Sequence, residues 1–143
     1  MVELHKSKYF QICWEAPQEL FYYVFNEQTS DMSAEEYLDE LRVFIRLVKQ
    51  YQPRYVLGDM VDFGFVITPD IQEWVNENLF TVYQEIGFKK IAILMSKEFV
   101  ASLSIEQTME ENRTVSFQTA FFEDEKMARS WLEGKISLRE VYS

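Results

Sequence analysis

Two carboxylates three residues apart, Asp59 and Asp62, are the first place to look for chemistry in this chain. Such a pair could serve as general acid and base, or supply oxygen ligands to Mg2+. Neither role is complete, because no His, Lys or third ligand accompanies them. The competing structural reading makes Asp59 a strand-end residue that bonds loop amides and leaves Asp62 solvated. His5 is the only histidine and sits beside Lys6 near the start of the chain, where it reads as a tail residue. Cys13 alternates with Phe10, Ile12 and Trp14 in mid-strand, which predicts a buried, inert thiol. The chain has four glycines and no Gly-x-Gly-x-x-Gly, Walker-type or Gly-x-Ser-x-Gly motif. The residues therefore assign no catalytic group, no metal ligand and no cofactor, and an enzyme ranks third among the readings.

Aromatic side chains offer a different chemistry, that of binding. Trp74 falls early in a predicted helix, close to a loop that carries Phe63 and Phe65. These three predict an exposed aromatic patch. With Asp59, Asp62 and Thr68 they form the candidate binding set. Its expected occupants are a protein partner or a second copy of the chain, or, as the alternative, a small apolar or acyl ligand.

The elements that would position this set centre on Tyr55–Ile86. Tyr55-Val56-Leu57, ended by Gly58-Asp59, predicts an interior strand of a mostly parallel sheet. Thr68 reads as an N-cap and Pro69 as the first helical residue. Ile71, Val75, Leu79, Val82 and Ile86 then recur at helical spacing, and Gly87 is the expected stop. Ligands of open α/β sheets usually bind beyond the carboxyl ends of the strands, which places the candidate set at a functional rim.

The flanking segments complete the pattern. Strands are expected at Tyr9–Ala16 and Glu19–Asn26, joined at Pro17-Gln18. Ser33 and Glu36 form a capping box, followed by a stripe of Tyr37, Leu41, Phe44, Val48 and Tyr51. Ile91–Met95 predicts another parallel strand, and Ser96 caps a helix over about 99–111 whose apolar set is Phe99, Val100, Leu103 and Met109. The acidic run 106–111 reads as a solvated face. A last strand over 114–122 leads to a helix capped by Asp124 and stopped at Gly134, and residues 135–143 extend or fray. The expected fold is α/β: one domain over 1–143 with its core in 9–134, a mixed five-stranded sheet and about four helices, β-β-α-β-α-β-α-β-α.

Composition narrows the function classes. There are 24 acidic residues against 14 basic, a formal charge of -10. Nucleic acid and anionic membranes require clustered Lys and Arg, so neither is expected, whereas a basic partner is compatible. One cysteine permits no internal disulfide and fits a reducing cytoplasm. The start of the chain shows no apolar signal region, and no apolar run approaches a membrane span.

The order of elements, with Asp59 at a strand end, Trp74, Lys89-Lys90-Ile91-Ala92-Ile93 and Phe121-Phe122-Glu123-Asp124-Glu125 followed by Ala128, Trp131 and Leu132, resembles the STAS fold of anti-sigma-factor antagonists. It is most similar to an uncharacterised bacterial SpoIIAA-like branch. That resemblance implies a small cytoplasmic regulatory or binding module more than an enzyme. In the signalling antagonists a phosphorylatable Ser opens the second helix in an Asp-Ser-Ser-Gly-like turn. Here the corresponding place reads Ile67-Thr68-Pro69-Asp70, without the Gly, and Thr68 is its only hydroxyl.

Overall fold

The computed structural model describes residues 1–96, 98–110 and 117–141. Six strands form one sheet in the order of the chain: β1 (Val2–Lys6), β2 (Phe10–Glu15), β3 (Leu20–Phe25), β4 (Tyr55–Asp59), β5 (Lys90–Leu94) and β6 (Gln118–Phe122). β1, β2 and β3 are antiparallel neighbours, and β3 to β6 run parallel. β4 is interior, as expected. The sheet has one strand more than the sequence pattern predicts. β1 alternates Val2 and Leu4 with Glu3 and His5, and a short charged strand of this kind is how sheets protect an edge. The start of the last expected strand, 114–116, lies outside the described residues.

Helix α1 (Ala34–Tyr51) opens with the predicted capping box: the Ser33 hydroxyl accepts from the Glu36 amide at 3.1 Å, and the Ser33 amide donates to Glu36 Oε1 at 2.9 Å. Its stripe of Tyr37, Leu41, Phe44 and Val48 is buried. α2 (Pro69–Val75) passes through a π-helical turn (Asn76–Phe80) into α3 (Thr81–Glu85). Gly87 follows at φ 72°, a left-handed position that suits glycine. α4 spans Phe99–Glu110, α5 spans Glu125–Leu132 and α6 is the single turn Leu138–Val141. Asp124 caps α5 by accepting from the Met127 amide at 3.0 Å, and Gly134 stops it at φ 77°. The expected tail thus contains a helical turn as far as it is described; 142–143 lie outside the described residues.

The sequential strand order dictates the layering. Right-handed crossovers that always step in the same direction deposit their helices on one face. Accordingly α1 touches α3 and α2 touches α4. The large core lies between these helices and Phe21, Tyr23, Val56, Ile91 and Ile93. The alternate residues Leu20, Leu57, Ala92 and Ala120 point the other way and meet Ala128, Trp131 and Leu132 of α5. Small side chains at 92 and 120 let α5 lie close to the sheet. Arg129 of α5 ties back to β2 through paired bonds to Glu15 at 3.1 and 3.0 Å.

His5 is part of β1 and not of a tail. Its Nε2 lies 3.4 Å from Glu40 Oε1 of α1. Glu40 also accepts from the Ser7 hydroxyl, which in turn accepts from the Tyr9 and Phe10 amides at 3.1 Å each. This polar knot pins the β1–β2 turn to α1. Cys13 is buried in β2, and burial pushes its thiol up from the ordinary range. That leaves it mostly protonated and a poor nucleophile at neutral pH.

Candidate functional site

The carboxyl end of β4 is closed by its own loop. Asp59 Oδ1 accepts from the Val61 amide at 3.1 Å. The Phe63 amide donates to the Met60 carbonyl at 3.1 Å and the Gly64 amide to Thr29 Oγ1 at 2.9 Å. The Ile67 amide donates to Ser104 Oγ at 3.1 Å. The Val61, Phe63, Gly64 and Ile67 amides are therefore engaged by the protein itself. The rim also lacks the usual reason for a ligand crevice. In doubly wound sheets that crevice opens where strand order reverses and helices part to opposite faces. Here the order never reverses.

Asp59 and Asp62 do not build a metal centre. Among the described residues no three His, Cys, Asp or Glu side chains come together in a way that could hold a metal ion. Asp59 instead faces the phenol of Tyr22, which is pushed up to about 12 by burial first and then by the Asp59 charge. Asp62 is exposed.

Thr68 stands at the N-cap of α2, but its hydroxyl does not cap the helix. It donates to Asp70 Oδ1, and this bond is the main reason the exposed Asp70 carboxyl titrates below its ordinary range. A carboxyl lowered in the folded state contributes stability above its unfolded pKa and loses it as pH falls through the folded one. Thr68→Val is therefore expected to move the Asp70 midpoint upward, toward that of an isolated aspartate. A carboxyl-carbon NMR titration of the two proteins reads this directly, and an unchanged midpoint would remove Thr68 as the cause.

The aromatic patch expected at Phe63, Phe65 and Trp74 is not on the surface as a unit. Phe63 is 0% exposed. Its ring lies 5.0 Å from Phe25 and 5.8 Å from Tyr37, while Phe65 packs 4.7 Å from Tyr37. Phe65 and Trp74 are half-buried against the core, and Arg42 lies 5.7 Å over the Trp74 ring. The physical reason lies far away in sequence: Phe25 of β3 and Tyr37 of α1 draw the two phenylalanines inward.

What the structure exposes nearby is aliphatic. α4 turns Ala101, Ser104, Ile105 and Thr108 toward the body of the protein, at the spacing of one helical face. Half of these inward positions are hydroxyl residues. Ser104 donates to the Ala101 carbonyl at 2.7 Å and Thr108 to the Ser104 carbonyl at 2.7 Å. Val100 and Leu103, expected as core, point outward at 57% and 43% exposure. Val66, 43% exposed, precedes Ile67, whose amide bonds Ser104 beside Leu103. Ser96 anchors the approach to α4 by accepting from the Glu98 amide at 3.1 Å and donating to the Phe63 carbonyl. Of the acidic run 106–111, Glu106 is half-exposed, and Glu111 lies outside the described residues.

The surroundings are predominantly acidic, with Arg42 over the Trp74 ring and Lys97 in the sequence beside Glu98 as the basic exceptions. No Lys or Arg occurs from Tyr55 to Phe88, a stretch holding Asp59, Asp62, Asp70, Glu73, Glu77 and Glu85. Glu98, just before α4, and Glu106 on it flank Val100 and Leu103 in sequence. The sequence carried a signal for this surface: α4 has apolar residues on two helical faces, 100/103 and 101/105, and only one of them can be buried. Among the described residues no helix is long and apolar enough to cross a membrane. Comparison with protein-family models, with curated proteins and with solved structures finds no match to this chain.

Proposed function

We propose that the chain is a non-catalytic protein-interaction module, cytoplasmic and regulatory, that docks a partner segment over Val66, Val100 and Leu103. The observation that carries this reading is the inverted α4, which spends inward positions on Ser104 and Thr108 while valine and leucine face water. A helix with two apolar faces can pack only one of them on its own protein and leaves the other for a partner to cover. The partner's chemistry follows from the rim. Acidic residues flank the patch, so a segment with apolar anchors and Lys or Arg beside them is complementary. A second copy would bring two acidic rims together, and that disfavours self-association.

The STAS/SpoIIAA-like assignment belongs to the same proposal. The β-β-α-β-α-β-α-β-α run behind the resemblance is present from β2 to α5, with β1 added before it. A buried single cysteine and a formal charge of -10 fit the reducing, soluble setting that the proposal requires.

The test is selection from a random peptide library on immobilised protein. The expected winners carry Leu, Ile or Phe flanked by basic residues, and their NMR footprint falls on Val66, Val100 and Leu103. Leu103→Glu is expected to weaken them about 30-fold or more, the scale of a central anchor. Winners that map elsewhere, or that bind Leu103→Glu as well as the parent, would overturn the reading. So would a parent dimer by light scattering that Leu103→Glu disperses, since that outcome makes a second copy the occupant.

A further inference from the structure

An apolar cavity of about 60 Å³ lies on the other side of α4, between the helices and the sheet. Its walls include Phe44 of α1, Ile93 of β5, Ile105 and Thr108 of α4, and Tyr23 and Tyr83. None of the residues that line it is charged. The Tyr23 hydroxyl donates to the Met60 sulfur at 3.5 Å. Tyr83 is completely buried, and among the described residues its hydroxyl has no hydrogen-bond partner. Buried polar groups are satisfied almost without exception, so an orphaned hydroxyl at an internal cavity points to a missing partner.

Tyr83 lies one turn beyond Leu79, just after a π-helical turn. Leu79, Phe80, Val82 and Tyr83 are all buried in and just after that turn at Asn76–Phe80. Such turns recur at functional sites.

We propose that this cavity is a binding site for a small uncharged molecule that presents one oxygen to the Tyr83 hydroxyl. Size sets the upper limit. At roughly 10–15 Å³ per water-sized group, the space takes about four to six non-hydrogen atoms. A cavity of about 150 Å³ is what accommodates benzene, so ring compounds and long acyl chains do not fit. Charge sets the class. Burial raises the Tyr83 phenol well above its ordinary range and keeps it a neutral donor, and no cation is present to receive an anion. Short alcohols, ketones and aldehydes remain. The site is independent of the docking surface: it rests on the cavity and on Tyr83, not on Val66, Val100 or Leu103.

The test uses 1-propanol and 1-chloropropane, which share size and shape while only the alcohol hydrogen-bonds well. Each is titrated into the parent protein and into Tyr83→Phe, and the methyl resonances of Ile91, Ile93 and Ile105 are followed. Saturable shifts with 1-propanol are expected in the parent. In Tyr83→Phe, 1-propanol is expected to bind about five-fold more weakly, the scale of one neutral hydrogen bond, with 1-chloropropane unchanged. An intermolecular NOE from the propanol methyl to Ile93 in the parent gives a readout independent of the variant. Absence of saturable shifts and of that NOE would overturn the site. Equal 1-propanol affinity in Tyr83→Phe would overturn the role of Tyr83.

Discussion

Phe63→Ala is expected to destabilise the protein by about 3–5 kcal/mol, the cost of emptying a fully buried aromatic position. The size of the effect follows from the surroundings. Phe63 meets Phe25 at 5.0 Å, Tyr37 at 5.8 Å and Phe65 at 6.3 Å, so one substitution strips contacts from β3, α1 and its own loop together. The backbone cannot easily collapse to fill the space. The Phe63 carbonyl is held by the Ser96 hydroxyl, and the Gly64 amide by Thr29 Oγ1 at 2.9 Å. Urea denaturation checks the number. A loss below about 1 kcal/mol, the range of ordinary surface changes, would return Phe63 to the surface.

Gly58→Ala is expected to cost about 1–3 kcal/mol through overpacking, although alanine is otherwise at least as acceptable in a strand. A Cβ at 58 would stand 2.3 Å from the Tyr23 hydroxyl and 2.4 Å from the carbon that bears it. Tyr23 lies opposite Gly58 in the β3–β4 register. Its ring is boxed by Phe10, Phe25 and Phe44 at 5.6, 5.7 and 5.5 Å. The mechanism predicts coupling: with Tyr23→Leu already in place, Gly58→Ala should cost much less. Additive losses in that double-mutant cycle would show that the clash is not the cause.

These two residues also mark where sequence reasoning reached and where it stopped. Signals written within a few residues were legible: the Ser33–Glu36 box, the Asp124 cap, and the left-handed stops at Gly87 and Gly134. The interior position of β4 was legible from an apolar run between turn residues. Gly58, by contrast, read as a strand terminator. Its requirement comes from Tyr23 on a neighbouring strand, which no local pattern reports. Phe63 and Phe65 read as exposed because they lie in a loop, and it is Phe25 of β3 and Tyr37 of α1, both distant in sequence, that draw them inward.

Two misreadings have a common origin in helical periodicity. The stripe Ile71, Val75, Leu79 and Val82 is real, but a uniform 3.6 repeat hides the π-helical turn at Asn76–Phe80, and Phe80 and Tyr83 are buried as well. In α4 two apolar faces competed, and the bulkier pair, Val100 and Leu103, was expected inside. The face with Ala101 and Ile105 won. There the loop amide of Ile67 requires an acceptor, and Ser104 supplies it at 3.1 Å. A hydrogen bond 37 residues away in sequence thus decided which side of the helix is buried. β1 was missed for a third reason, since its charges resemble those of a tail.

The inverted face of α4 is the claim on which the functional reading stands, and a matched pair of truncations measures it without any knowledge of the partner. Leu103→Ala and Ile105→Ala remove similar volumes from positions two residues apart on one helix. With Leu103 outward, its truncation is expected to cost under about 1 kcal/mol, whereas that of the buried Ile105 costs about 2–5 kcal/mol. A Leu103→Ala loss as large as that of Ile105→Ala would place Leu103 in the core and leave no apolar surface for a partner to cover.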